Sequence, residues 1–255
     1  MYLFLSPHLD DAVLSCGGTI HQLTARGETV MVLTTMAGDP PEPLPDTPII
    51  ADLHQRWQAG FNPVSARRAE DQRACGLLGA QVLHLDLGDC VYRVAHQAGK
   101  TLALYPTEES LWGPVRPDDP AVMSLRSTTI PPASVVVVPL GNRHHVDHRI
   151  VRDWGLWLSQ QSPALSLRFY EEYPPEIDAT MELEQALTYY QDRTMQPDVR
   201  PLTEADVAAK LRAVACYESQ ISTFWASAAE MEVETRASMT AAGDGNPVER
   251  FWRMV

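Results

Sequence analysis

LFLSPHLDDAVLSCGGTI, residues 3–20, is the stretch whose reading decides the fold. Residues 1–7 are a short apolar run of the kind a buried strand uses. From Asp10 onward Val13, Leu14, Ile20 and Leu23 recur at roughly helical spacing, and Gly27 follows as a stop. The corner between strand and helix carries His8, Asp10 and Asp11, in the place where nucleotide-binding α/β proteins carry glycines. Gly17 and Gly18 come too late to make a phosphate-binding turn and read as letting the helix pack closely on a sheet. Two carboxylates where phosphates would sit repel a dinucleotide, so a nucleotide-binding Rossmann protein is the weakest of the readings.

Working outward, ETVMVLTTM (28–36) predicts a second strand. SARRAEDQRACGLLGA predicts a helix with a glycine stop, and QVLHLDL (81–87) a third strand. Between them, 37–63 is a proline-rich excursion long enough to suggest a lid, and 92–132 reads as an insertion with a helix in it. SVVVVPL (134–140) is the clearest buried strand, followed by the loop and helix of GNRHHVDHRIVRDWGLWL. LRFYEEY (167–173) predicts a further strand, and the last third shows helical patterns over 203–219 and 223–242 before ERFWRM. Alternating strands and helices predict an α/β, Rossmann-like, mostly parallel β-sheet flanked by helices. The expected organisation is one domain over 1–255, with a core in 1–165 and a portion, 166–255, that completes the sheet and pocket.

Apolar content of 45% and charged content of 21% are those of a globular protein. No apolar stretch approaches the roughly 20 residues that span a bilayer, and the opening MYLFLSPH lacks the basic start of a signal peptide. The expected location is cytoplasmic, which suits four scattered cysteines (Cys16, Cys75, Cys90, Cys216) without a C-x-x-C pair. A net charge of −13 argues against nucleic acid as a partner. A homo-oligomer and a monomer are equally compatible with these features.

In open α/β sheets, ligands bind beyond the carboxyl ends of the strands. His8, Asp10 and Asp11 follow the end of the first strand, and HHVDH (144–148) follows the end of SVVVVPL, so both clusters are expected on one rim. Four of the eight histidines fall in these two stretches, with His145 and His148 three apart at a helix start. Histidine and carboxylate ligands with one open position are the donor set of catalytic zinc, which brings water's pKa to about 7. Taken singly, an aspartate at a helix start is an N-cap and a histidine at a strand end a hydrogen-bonded structural residue. The conjunction of the two clusters points to a metal.

SPHLDDAVLSCGGTI resembles the opening His-Pro-Asp-Asp motif of the LmbE-like, or PIG-L-like, zinc-dependent N-deacetylases, and His145-Val146-Asp147-His148 resembles their His-x-x-His motif. The likeness extends through RRAEDQRACGLLGA, the Asp89 region, FYEEYP and KLRAVACYESQ, covering most of the chain. It implies zinc, or another divalent metal, bound by His8, Asp11 and His148. Asp10 would be the general base activating the zinc-bound water, and His145 the oxyanion stabiliser or general acid, oriented by Asp147. Arg67, Asp89 and Arg143 would contact substrate; the rival readings are a surface ion pair for Arg67 with Glu70 or Asp71, and a turn residue for Asp89. Leu9 departs from the family's proline without removing a ligand or base.

The resulting expectation is an LmbE-like hydrolase of linear amides that N-deacetylates a small molecule containing N-acetylglucosamine. A non-catalytic metal- or sugar-binding protein of the same fold is the alternative. A closed structural zinc site would have no use for the additional Asp10 and His145.

Overall fold

The computed structural model describes residues 1–57, 62–97, 99–142, 144–173, 188 and 194–255. Its centre is a seven-stranded sheet. In chain order the first strands are β1 (Tyr2–Ser6), β2 (Val30–Thr34) and β3 (Gln81–His84), with α1 (Asp11–Ala25) joining the first two. The excursion after β2 contains α2 (Pro48–Trp57) and leads to α3 (Pro63–Leu77). After β3 come a hairpin of β4 (Val94–Gln97) and β5 (Lys100–Ala103), then α4 (Glu108–Leu111) and α5 (Pro120–Arg126). The chain returns to the sheet as β6 (Val135–Pro139), α6 (Val146–Gln161) and β7 (Ser166–Tyr170). It finishes with β8 (Met195–Pro201), α7 (Glu204–Val214), α8 (Glu218–Phe224), α9 (Ala228–Ala241) and β9 (Val248–Met254).

The strand order is β3-β2-β1-β6-β7-β9-β8, parallel through β7, with β9 antiparallel to both its neighbours. This is the Rossmann-like, mostly parallel architecture expected. The order reverses at β1, which lies between β2 and β6, so the switch-point crevice opens beyond Ser6 and Pro139. Alternation along β1 shows why both faces need cover: Phe4 packs into one apolar core with Val13, Ala74 and Val214, and Leu3 and Leu5 into another with Ile150 and Trp154. Among the described residues no helix is long and apolar enough to cross a membrane.

Several boundaries differ from the sequence pattern. The excursion folds a helix, α2, because Ile49 and Ile50 find an apolar cluster beside Leu9 and Tyr92. The pattern over 203–219 ends earlier, at Val214, and ERFWRM is a strand. β8 has no apolar alternation and contains Pro197 and Pro201; as the edge strand it tolerates them. Beside the expected contact with the sheet, where Glu249 Oε1 of β9 would lie 3.2 Å from a Cβ on Gly18, the glycine pair serves a second one. A Cβ on Gly17 would lie 3.0 Å from Lys210 Cγ, and one on Gly18 2.6 Å from Leu202 Cδ1, so the close approach is to α7 and its entry. In that contact the mid-helix amides of Gly18 and Thr19 donate to the Glu249 carboxylate (2.9 and 2.7 Å), which is paired with buried Lys210 (2.8 Å).

Candidate metal centre and active site

The corner after β1 is held without using its aspartates as caps. Ser6 Oγ accepts the first-turn amide of Ala12 (3.0 Å) and donates to the His8 carbonyl (2.7 Å), and Asp10 makes no side-chain cap bond. Asp10 and Asp11 are therefore both available to the site. Leu9 is buried with Ala37, Val91 and Val146, anchoring by packing the position where the family has proline.

Asp11 Oδ2 is the point of convergence. His8 Nδ1 lies 3.0 Å from it and His148 Nε2 3.3 Å, while the His8 amide donates to it at 2.7 Å. The nitrogens on the far sides of the two rings are each engaged by a carboxylate: His8 Nε2 with Asp147 Oδ2 (3.1 Å), and His148 Nδ1 with Glu172 Oε1 (3.3 Å). Ligand imidazoles in metal sites are braced in this way, by a carboxylate on the nitrogen that does not bind metal. Donors sharing a tetrahedral zinc at about 2.0–2.1 Å are themselves about 3.3 Å apart, and each of the two nitrogens stands near that distance from Asp11 Oδ2. His8, His145 and His148 also place ring nitrogens within 4.8 Å of one another.

Electrostatics favour a cation here. Burial opposes a proton on either ring, yet Asp89 and Asp11 raise His8 well above its ordinary pKa, and Asp11 with Glu172 raises His148 to about 9. Burial would raise Asp11, but His148 and His8 hold it well below the usual carboxylate range. For Asp147 burial acts the same way and is outweighed by Arg93 and His8, so it stays ionised. The surplus of acid that protonates these imidazoles is what a divalent ion would otherwise balance.

Asp10 stands beside this group with a different environment. Burial is the main influence, and the Arg67 guanidinium 3.4 Å away opposes it; the outcome is a carboxyl pushed up to about 6. Arg67 is itself buried, reaching inward from α3 to Asp10 instead of pairing on the surface with Glu70 or Asp71. Those two acids are also turned inward. Glu70 accepts from the Ser219 amide and hydroxyl (2.9 and 2.6 Å), and Asp71 from the Tyr217 hydroxyl (2.7 Å).

His145 begins α6, delivered by His144 in the left-handed region at φ 59°. Its Nδ1 accepts the amide of Asp147 (3.3 Å), and an amide can only donate, so the neutral ring carries its proton on Nε2. Burial, then the neighbouring His8 and His148, hold its pKa well below the ordinary value. Trp112 packs edge-on against the ring, centroids 5.2 Å apart. Asp147 thus reaches His145 through its backbone; its carboxylate serves His8, the Cys90 amide (3.0 Å) and Arg93 (2.5 Å). Asp89 is a turn residue, Oδ1 accepting from Val91 N (3.2 Å), and also lines the site, with Oδ2 3.7 Å from His8 Nε2. Arg143 lies outside the described residues.

His8, Asp10, Asp11, Arg67, Asp89, His145 and His148 line a cavity of about 350 Å³. Leu53 from the excursion, Glu108 and Trp112 from the insertion, and Gln220 and Phe224 from α8 complete its wall. Another cavity, about 330 Å³, opens beside Lys210 and Met239, and no histidine lines it. Glu172, Arg93 and Trp112 were not among the residues singled out in the sequence. The first carried a usable signal, an acid at the end of a predicted strand; the other two come from a segment read only as an insertion.

A Rossmann-like sheet with paired histidines and carboxylates at its switch point defines the LmbE-like hydrolases. The chain belongs to the family described as PIG-L: GlcNAc-PI de-N-acetylase, which it matches over residues 3–156, and it is a hydrolase of carbon–nitrogen bonds in linear amides. Among its relatives is the 2'-N-acetylparomamine deacetylase of Niallia circulans, 29% identical over 98% of this chain and 90% of that protein. The zinc-inhibited form of teicoplanin deacetylase Orf2 superposes with a TM-score of 0.71 at 25% identity, covering 100% of this chain and 97% of that one. A deacetylase–bog complex from the teicoplanin biosynthesis pathway shares the fold, with a TM-score of 0.74 at 23% identity over 100% of this chain and 97% of that one.

Proposed function

We propose that the chain is a cytoplasmic, zinc-dependent N-deacetylase of small molecules carrying an N-acetylglucosamine-type unit. The observation that carries this reading is the convergence of His8 Nδ1 and His148 Nε2 on Asp11 Oδ2, at 3.0 and 3.3 Å, with the Arg67-paired carboxyl of Asp10 alongside. His8, Asp11 and His148 would hold the ion, zinc or another divalent metal. Bound there, it would polarise the amide carbonyl and acidify water.

Asp10 takes the proton from the attacking water and returns it to the departing amine, leaving acetate and the free amino sugar. Arg67 keeps Asp10 ionised near neutral pH despite its burial. His145 Nε2–H, held in one tautomer by the Asp147 amide, donates to the oxygen that becomes negative in the transition state. The neutral ring suits a hydrogen-bond donor, so of its two expected roles oxyanion stabilisation is the one supported. Asp147 and Glu172 keep the imidazoles of His8 and His148 in register. Asp89, Arg67 and, on sequence grounds, Arg143 are the proposed polar contacts to substrate. A cavity of about 350 Å³ is of the size that holds small-molecule ligands, and the N-acetylated amino sugar in the name of the Niallia circulans relative supports the substrate class.

The test is hydrolysis of a panel of N-acetylated amino sugars by zinc-loaded protein, with Asp10→Asn beside it. The substitution should cut turnover by about 10² or more while leaving the metal bound. No hydrolysis across the panel, together with an Asp10→Asn protein indistinguishable from wild type, would leave the non-catalytic binding protein as the correct reading.

A further inference from the structure

Cys90 takes no part in the chemistry above, yet its thiol is placed among side chains of metal-binding type. It is fully buried, with Sγ 3.8 Å from His145 Nε2 and 3.4 Å from Asp89 Oδ1. Cys90, His145 and Asp147 each offer a donor atom, and these lie within 4.8 Å of one another. A sulfur and an imidazole nitrogen sharing a tetrahedral zinc are about 3.5 Å apart, close to the separation seen here.

We propose that Cys90, His145 and Asp147 form a second, inhibitory zinc site, with Asp89 as the neighbouring acid. Binding releases the thiol proton to solvent and moves the His145 proton from Nε2 to Nδ1, giving up the bond from the Asp147 amide; the thiolate, the carboxylate and the neutral imidazole then balance the charge of the ion. The site is the weaker of the two. Asp147 already shares its charge with Arg93 (2.5 Å) and His8 (3.1 Å), whereas Asp11 faces two braced imidazoles. It therefore fills only when zinc is in excess. Its occupancy draws His145 Nε2 away from the oxyanion position, and this consequence rests on the role proposed for His145 above. A thiolate also selects the metal: zinc and cobalt bind it, and magnesium and manganese do not.

The experiment is a cobalt titration of metal-depleted, full-length protein, followed by absorbance and metal analysis. Beyond the first equivalent, a thiolate-to-cobalt charge-transfer band should appear in the near ultraviolet, and Cys90→Ser should lose both the band and the second equivalent. In the activity arm, excess zinc but not excess manganese should inhibit wild type, and Cys90→Ser should need at least about tenfold more zinc for the same inhibition. Absence of the band in wild type at several equivalents overturns the site, as does zinc inhibition unchanged in Cys90→Ser. The band and stoichiometry are read without turnover, so an inactive preparation counts against the deacetylase reading and not against this one. Should Cys90→Ser fail to fold, Cys90→Ala and the wild-type titration decide the matter.

Discussion

Arg67→Gln removes the charge that lies 3.4 Å from Asp10 Oδ2, between two side chains only 7% and 5% exposed. At an effective dielectric constant of about 20, unit charges at that distance attract by ~5 kcal/mol before reorganisation. Opposite charges this close move a carboxyl pKa by about 1–3 units in proteins. Asp10 sits at about 6 with Arg67 present, the guanidinium lowering what burial raises. Without it the carboxyl should titrate at roughly 7–9. A base must be ionised to act, so activity is lost as pH falls through this value, and the acid limb of kcat/KM should move up by about 1–3 units. At pH 7 the ionised fraction drops from about nine-tenths to between about a half and a hundredth, and raising the pH restores it. A cation held by Asp11 lowers both enzymes together and leaves the displacement intact. The assay is the pH profile of kcat/KM for wild type, Arg67→Gln and Arg67→Lys; the lysine variant, which keeps the charge, should stay near wild type. An unmoved limb with KM raised at every pH would refute the reasoning and make Arg67 a substrate contact alone.

Glu172→Gln, which weakens the brace on His148 Nδ1, should lower zinc affinity by about 10–100-fold in a chelator competition, with turnover recovered at saturating zinc. Affinity equal to wild type would show that Glu172 serves only the amides of Gly141 and Asn142, 2.8 and 3.3 Å from it. Lys210→Met strands the buried Glu249 carboxylate against α1, leaving it, among the described residues, the amides of Gly18 and Thr19. Urea unfolding should register a loss of about 3–5 kcal/mol, and adding Glu249→Gln should return part of it. Gly18→Ala drives a methyl to 2.6 Å from Leu202 Cδ1 and should cost about 1–3 kcal/mol in the same measurement.

The chain shows where local sequence suffices and where it does not. His8, Asp10 and Asp11 were recognisable because they belong to one corner, and HHVDH because it directly follows a strand that pattern alone identifies. Glu172 follows β7 in the same manner, and the rule applied to the other strand ends would have found it. Arg93 and Trp112 had no such signal. Their partners Asp147 and His145 are distant in sequence, and the insertion that carries them has no period to place it. The strand β8 was illegible for a different reason: its prolines are tolerated only because it lies at the edge, a fact of the assembled sheet.

By itself, then, the sequence determined the alternation of strands and helices, the rim on which chemistry would sit, and the residue types that meet there. Strand periodicity is a property of neighbouring residues, and a ligand at a strand end inherits its position from that strand. The tertiary structure alone decided how those residues divide their work. It freed Asp10 from capping by letting Ser6 satisfy the helix amide, and set Arg67 against it. It also turned the Asp147 carboxylate from His145 to His8. Hydrogen-bond partners and burial set proton affinities, and both arise only when segments far apart in the chain are packed together.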